Sequence, residues 1–275
     1  MGDDRMAPVP DEEHAVTPLA AIAERHRAYT ATPISQVIAD CDDMLLRGHP
    51  NALPQYLESG RSAIEVITAA MVATRTESFE SALDLPCGGG RTTRHLRAFL
   101  PETTLFVGEL DLAKRQFVVE TFGAMPFEAP HDFLGIPART FDLIFVGSLL
   151  THLNLDLFVH ALKWFVGALA EGAILIMTTH GRRHEALAEQ TRSRTHLIDP
   201  KKWATIVAGR DETGFGYAPY DDARPTYGIS LVSPSWLTRL AVESDSSTRI
   251  VGFHEAAWHD HQDVLVMQKR SVSAA

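Results

Sequence analysis

The chemistry in this chain starts at Asp84-Leu85-Pro86-Cys87-Gly88-Gly89-Gly90. The run follows a short apolar segment, Ser81 to Leu85, and precedes a helix-like one, Thr93 to Leu100. Glycines at a strand-to-helix turn let the backbone come close to a ligand, and the helix N-terminus adds unpaired amides. Glu109 ends the next strand-like run, Thr104 to Gly108, about 20 residues on. An acid there can accept both hydroxyl hydrogens of a ribose. The nearest dinucleotide frame, Gly88-x-Gly90-x-x-Thr93, lacks its third glycine. Asp84 would repel a pyrophosphate and attract a cationic amino-acid ligand. That pattern favours S-adenosylmethionine, which carries an ammonium and a sulfonium.

A second set of residues could move protons. Of the 13 histidines, His152 follows the fourth expected strand, His180 ends the fifth, and His259 and His261 sit in the last hairpin. All fall on the edge of an α/β sheet where ligands bind, and imidazole suits a general base at neutral pH. Each also has a plain alternative: a helix cap for His152, a loop bond for His180, an anchor through Asp260 or Asp263 for His261. His180 with His184, or His259 with His261, has no acidic cluster at ligand spacing, so no metal is expected. Cys87 reads as a small packed residue. Tyr217, Tyr220, Tyr227, Trp236 and Trp258 are lid core or stacking groups, and Tyr56 and Arg61 are candidates to enter the site from the N-terminal side.

These residues need a frame. Short apolar runs at Ser81–Leu85, Thr104–Gly108, Phe141–Val146 and Ala173–Thr178, with a shorter one at Pro126–Ala129, alternate with helical patterns at Leu112–Phe122 and Leu157–Ala170. That alternation predicts a parallel sheet covered on both faces. Arg249–His254 and Asp263–Gln268 predict an antiparallel hairpin at its edge. Ser233-Pro234 predicts a helix start. Residues 1–13 read as a flexible tail and 14–78 as an N-terminal helical cap, including an amphipathic stretch from Pro33 to Leu46. Residues 79–180 form the ligand-binding core, 181–230 an irregular lid insertion, and 231–275 the C-terminal helix and hairpin that complete the core.

The 275 residues are 45% hydrophobic and 22% charged, ordinary for a globular chain, with a formal charge of −10. A net negative chain is a poor partner for nucleic acid. Two cysteines make no disulfide framework and point to the cytoplasm. No apolar run approaches a bilayer span.

LDLPCGGGR, FVGELD, FDLIFVGSLLTHL and ILIMTTHG, taken in order, resemble class I S-adenosylmethionine-dependent methyltransferases. The chain is most similar to a bacterial stand-alone group with a DLPCGHGR-type first motif and an HQDV ending, here His261-Gln262-Asp263-Val264. The resemblance covers about residues 40 to 270 and implies a Rossmann-like fold, a mostly parallel seven-stranded sheet with an antiparallel last strand. It also implies that Asp84, Gly88 and Gly90 line the methionine end, Glu109 holds the ribose and Leu110 flanks adenine. Asp132 would reach the adenine amine, and Gly147 and Ser148 would lie beside the cofactor. Pro86 stands where most class I enzymes carry the first glycine. The expected activity is methylation of a small or medium-sized organic acceptor, O-directed with a histidine base, by a monomer or homodimer. Tyr56, Tyr217, Tyr227 and Trp258 are the expected acceptor contacts. An NAD(P)-dependent oxidoreductase and an S-adenosylmethionine-binding protein of other chemistry are the alternatives.

Overall fold

The computed structural model describes residues 17–190 and 199–271; the expected tail lies outside the described residues. Two helices come first, α1 (Pro18–Ala31) and α2 (Ala52–Thr74). The alternating part follows: β1 (Ser81–Asp84), α3 (Thr93–Phe99), β2 (Thr104–Val107), α4 (Leu112–Phe122), β3 (Met125–Pro126) and β4 (Phe141–Val146). A 3-10 turn at Leu150–His152 leads into α5 (Leu155–Gly167) and β5 (Leu169–Thr179). Then come α6 (Arg182–Gln190), α7 (Pro200–Thr213), β6 (Phe215–Pro219) and β7 (Gly228–Val232). The chain closes with α8 (Pro234–Ser244), β8 (Thr248–Trp258) and β9 (Gln262–Lys269).

Seven strands form one sheet in the order β3-β2-β1-β4-β5-β9-β8. The first five are parallel, and β9 runs antiparallel to both β5 and β8. The strand order reverses between β1 and β4, so their carboxyl ends flank the crevice where α/β sheets bind ligands. Alternate residues of each strand feed opposite cores. Leu143 and Phe145 face one layer with Ile64, Ile67 and Met71 of α2. Ile144 and Val146 face the other with Phe158, Leu162 and Phe165 of α5. Both faces are covered, which is why the central strands read as unbroken apolar runs. α2 is therefore a core helix of the sheet, with Ile64, Ile67 and Met71 fully buried.

Local caps fix where helices start. Asp111 accepts from Ala113 N and Lys114 N at the head of α4. Ser233 accepts from Trp236 N at the head of α8, with Pro234 in its first turn, as the sequence predicts.

Three expectations need correction. Pro33 to Leu46 is not a helix: it runs without regular structure as a strap across the glycine-loop side. Arg94 Nη1 donates to Ser35 O (2.7 Å) and Val37 O (3.0 Å), so carbonyls that a helix would use internally are tied to α3. The described part of residues 181–230 is not irregular either. α6, α7 and the antiparallel β6–β7 ribbon pack around their own small core of Trp203, Ile206, Ala218, Ile229 and Leu231. Finally, the helix expected to reach Ala170 stops at Gly167, and β5 is longer than expected, starting at Leu169. Among the described residues, no helix is long and apolar enough to cross a membrane.

Candidate active site

The turn after β1 is held open by its neighbours. Gly88 (φ +52°) and Gly90 (φ +81°) occupy the left-handed region. A Cβ on Gly90 would lie 2.6 Å from the Phe122 ring, and one on Gly89 would lie 2.2 Å from Asp42 Oδ2. A Cβ on Gly88 would meet nothing within 4 Å, so this residue borders open space. Glu109 reaches across that space: its Oε2 accepts from Gly88 N (3.0 Å), and its Oε1 accepts from Leu110 N (2.7 Å) and Asp111 N (3.1 Å). A carboxylate oxygen has two lone pairs, so Oε2 keeps capacity for a further donor. Leu110 is 71% exposed beside it. Asp132 is also exposed, past β3, and its Oδ1 accepts from Leu134 N at 3.0 Å. Pro86 follows a cis peptide bond.

At the other end of the loop sits Asp84, 2% exposed, accepting from the Thr93 hydroxyl at 2.6 Å. Burial, reinforced by the field of Glu109, raises its pKa to about 7. Burial pushes the Cys87 thiol up as well, so it is no thiolate nucleophile. The residue missed at the sequence level is Arg91, which directly follows the glycines. Its guanidinium lies 5.6 Å from the Trp258 ring centroid, and the fields of Tyr56, Asp42 and Asp84 act on it. It makes no hydrogen bond or ion pair with any described residue. Desolvation of this unpaired cation lowers its pKa. The signal was in the quoted motif, LDLPCGGGR, but the lack of a partner is visible only in three dimensions.

The turn after β4 is braced by a polar chain. Ser148 (φ +59°) donates its amide to Thr178 Oγ1 (2.9 Å), Thr178 donates to Gln262 Oε1 (2.6 Å), and Gln262 Nε2 donates to Ser148 Oγ (2.7 Å). The ends of β4, β5 and β9 are thus tied together, and the glutamine of the HQDV segment closes the ring. Gly147 is tightly packed, since a Cβ would lie 2.9 Å from the Phe145 ring and 3.0 Å from Trp258.

The structure brings His152, His180 and His261 to one place, with His184 added from α6. His152 Nδ1 lies 3.0 Å from both Gly228 O and the Tyr220 hydroxyl. His180 Nδ1 lies 3.2 Å from Ser230 O. A carbonyl only accepts, so both rings carry hydrogen on Nδ1 and present a lone pair at Nε2. Burial lowers both pKa values, and three neighbouring imidazoles add to the effect at His180. His184 Nδ1 contacts His261 Nε2 at 2.8 Å, and burial takes His184 down to about 3. Nitrogens of His180, His184 and His261 lie within 4.8 Å of one another. Yet the His180 and His184 rings are stacked at 3.5 Å and 10°, so their lone pairs lie in near-parallel planes. Ligand lone pairs must converge on an ion, so this donor set does not fit a metal as placed.

The expected acceptor contacts divide. Tyr227, 47% exposed, tilts against His152 with centroids 5.3 Å apart. Tyr217 points to the other side of its ribbon, donating to Pro225 O and packing on the α5 core. Trp258 is 3% exposed and donates to Ser59 O, so it is a floor and offers no stacking face. Tyr56 is buried and donates to Asp42 Oδ2 at 2.6 Å, bracing the strap. Arg61 is exposed and paired with Glu58 and Glu65, away from the site.

No protein-family model and no curated protein matches the chain. Solved structures do. A methyltransferase from Clostridium acetobutylicum, described as S-adenosylmethionine-dependent, superposes with a TM-score of 0.51 at 13% identity, over 78% of this chain and 92% of that one. DhpI in complex with SAH gives 0.51 at 16% identity, over 94% and 98%. SAM-bound CalS10, an amino pentose methyltransferase from Micromonospora echinaspora, gives 0.51 at 12% identity, over 77% and 91%. The chain has the Rossmann-like fold of these methyltransferases. At such identities the likeness is one of architecture, and the residues of the site must carry the function.

Proposed function

We propose that the chain is a class I S-adenosylmethionine-dependent methyltransferase. Its acceptor would be a small or medium-sized organic molecule, methylated on oxygen with an imidazole as general base. The observation that carries this reading is the order of groups along one loop. Glu109 spans the open side of Gly88, and Asp84 and the unpaired Arg91 stand at the far end. A ribose diol, an ammonium and a carboxylate are the groups those three would satisfy, and S-adenosylmethionine carries all three. Leu110 and Asp132 would border the adenine, and Gly147 and Ser148 the sulfonium. A dinucleotide would instead set its pyrophosphate against Asp84.

When bound, the cofactor supplies an electrophilic methyl group. The imidazole Nε2 of His152 or His180 would take the hydroxyl proton of the acceptor and pass it to water, leaving the oxygen free to receive that methyl group. The protein's share is orientation, a dry site and the proton acceptor. His152 and His180 are the acceptors in place, each with its tautomer set by a main-chain carbonyl. The strap and α2 cover the loop side, which excludes water from the transfer. The similarity of LDLPCGGGR and HQDV to a bacterial methyltransferase group supports the same reading.

Isothermal titration with SAH and NADH tests it. Saturable one-to-one binding of SAH with no binding of NADH is expected; NADH binding without SAH binding refutes it.

A further inference from the structure

We infer that the acceptor is a vicinal diol, gripped by His152 and His180 together, each taking one hydroxyl at Nε2. The inference rests on the methyl-transfer reading and goes beyond it to the substrate class.

The argument begins on β7. The carbonyls that hold the two rings belong to Gly228 and Ser230, two residues apart on one strand. Alternate residues of a strand face the same way and repeat at roughly 6.6–6.8 Å. The two ring centroids are 6.3 Å apart, close to that repeat, with their planes crossed at 83°. One strand therefore orders two imidazoles at once, with both Nδ1–H groups directed at β7 and both Nε2 atoms directed away from it. Neither Nε2 has a hydrogen-bond partner among the described residues, and neither is sealed from solvent. Two ordered, unfilled acceptors side by side call for two donors side by side. Adjacent hydroxyl oxygens lie roughly a hydrogen-bond length apart, so both can meet rings at this spacing. A single hydroxyl would leave one desolvated lone pair unmatched.

The two rings are not equivalent, which gives each hydroxyl a separate fate. His180 stacks on His184 at 3.5 Å, with His261 at 5.5 Å and His152 at 6.3 Å. A positive charge there would face three more imidazoles and no acid, so His180 holds its hydroxyl as a neutral acceptor. His152 lies beside the Tyr220 hydroxyl and against the partly exposed Tyr227 ring. It is the ring that takes the proton from the oxygen to be methylated. Tyr220 and Tyr227 also wall the site with aromatic faces, suited to a ring bearing the diol.

The test is binding, separate from turnover. Wild-type protein saturated with SAH is titrated with catechol against phenol, and with cis-1,2-cyclohexanediol against cyclohexanol, by ligand-observed NMR. At least one diol is expected to bind about tenfold or more tightly than its mono-hydroxyl partner. The planar and puckered arms distinguish an aromatic from a saturated diol. In His180→Leu the preference is expected to fall to within about twofold with SAH affinity unchanged, which also reports that the variant is folded. Equal binding of diol and mono-ol by SAH-loaded wild type, or no diol binding at all, overturns the proposal. Failure to bind SAH overturns the methyltransferase reading instead, so the two failures are distinct.

Discussion

Arg91 and Glu109 stand at opposite ends of one loop and make distinguishable predictions. Replacing Arg91 with Ala removes the cation proposed to face the methionine carboxylate. SAH affinity is expected to fall by about 1.5–3 kcal/mol, the range for charged hydrogen bonds. 5′-Methylthioadenosine has no amino-acid tail, so its affinity should not change. Glu109→Ala should weaken both ligands by a similar amount, because both carry the ribose. Calorimetry on the four combinations checks the pattern; an equal loss for both ligands in Arg91→Ala places that residue elsewhere. Asp84 adds a pH signature. Its pKa of about 7 is raised by burial and Glu109, and lowered only in part by Thr93 and Arg91. A cationic ammonium favours the ionised form, so binding below pH 7 must expel a proton. SAH affinity should rise with pH up to about 7 and then level off. Titration in buffers of different ionisation heat should find a proton released at pH 6 and none at pH 8.

The elements that carry these residues were legible to different degrees. β1, β2, β4 and β5 could be read because strands buried on both faces are apolar throughout, and α8 because Ser233-Pro234 is a local cap. The strap was misread as a helix. Its apolar residues Ile34, Val37 and Ile38 sit at helical spacing, but the partner that holds it extended, Arg94, lies 57 and 59 residues away from Val37 and Ser35. The regular structure of the insertion was missed for a similar reason, since its core joins Trp203 and Ile206 to Ala218, Ile229 and Leu231 across a turn-rich stretch. Glu109 could be read from its position after a strand. The meeting of His152, His180 and His261 could be read from the sheet edge they share, but the addition of His184 could not, because it comes from the unforeseen α6. The insertion also carries a sharp test of packing. A Cβ on Gly216 would lie 1.7 Å from Ile206 O, and one on Gly228 would lie 2.0 Å from Ala218 O. Gly216→Ala should destabilise the α7–β6–β7 unit by about 1–3 kcal/mol. Amide hydrogen exchange should quicken there, while SAH binding at the β1–β4 crevice stays within about twofold.

For the molecule as a whole, ligand occupancy and stability are coupled. A ligand that binds only the folded chain at about 100 times its Kd adds roughly 2.7 kcal/mol. For a domain of this size that is a rise of roughly 5–10 °C in Tm. Thermal scans with saturating SAH should show it, and scans with NADH should not. In the proposed reading the architecture splits the work: the sheet and strap would hold the cofactor, and the insertion would frame the acceptor. That split gives the β7 carbonyls a particular weight. Drift or a saturation library can replace the side chains along that ribbon, its tightly packed glycines apart, yet its peptide oxygens survive substitution. If the acceptor binds as proposed, its preference could be re-engineered around Tyr220 and Tyr227 while the free faces of both imidazoles stay set by atoms that no codon encodes.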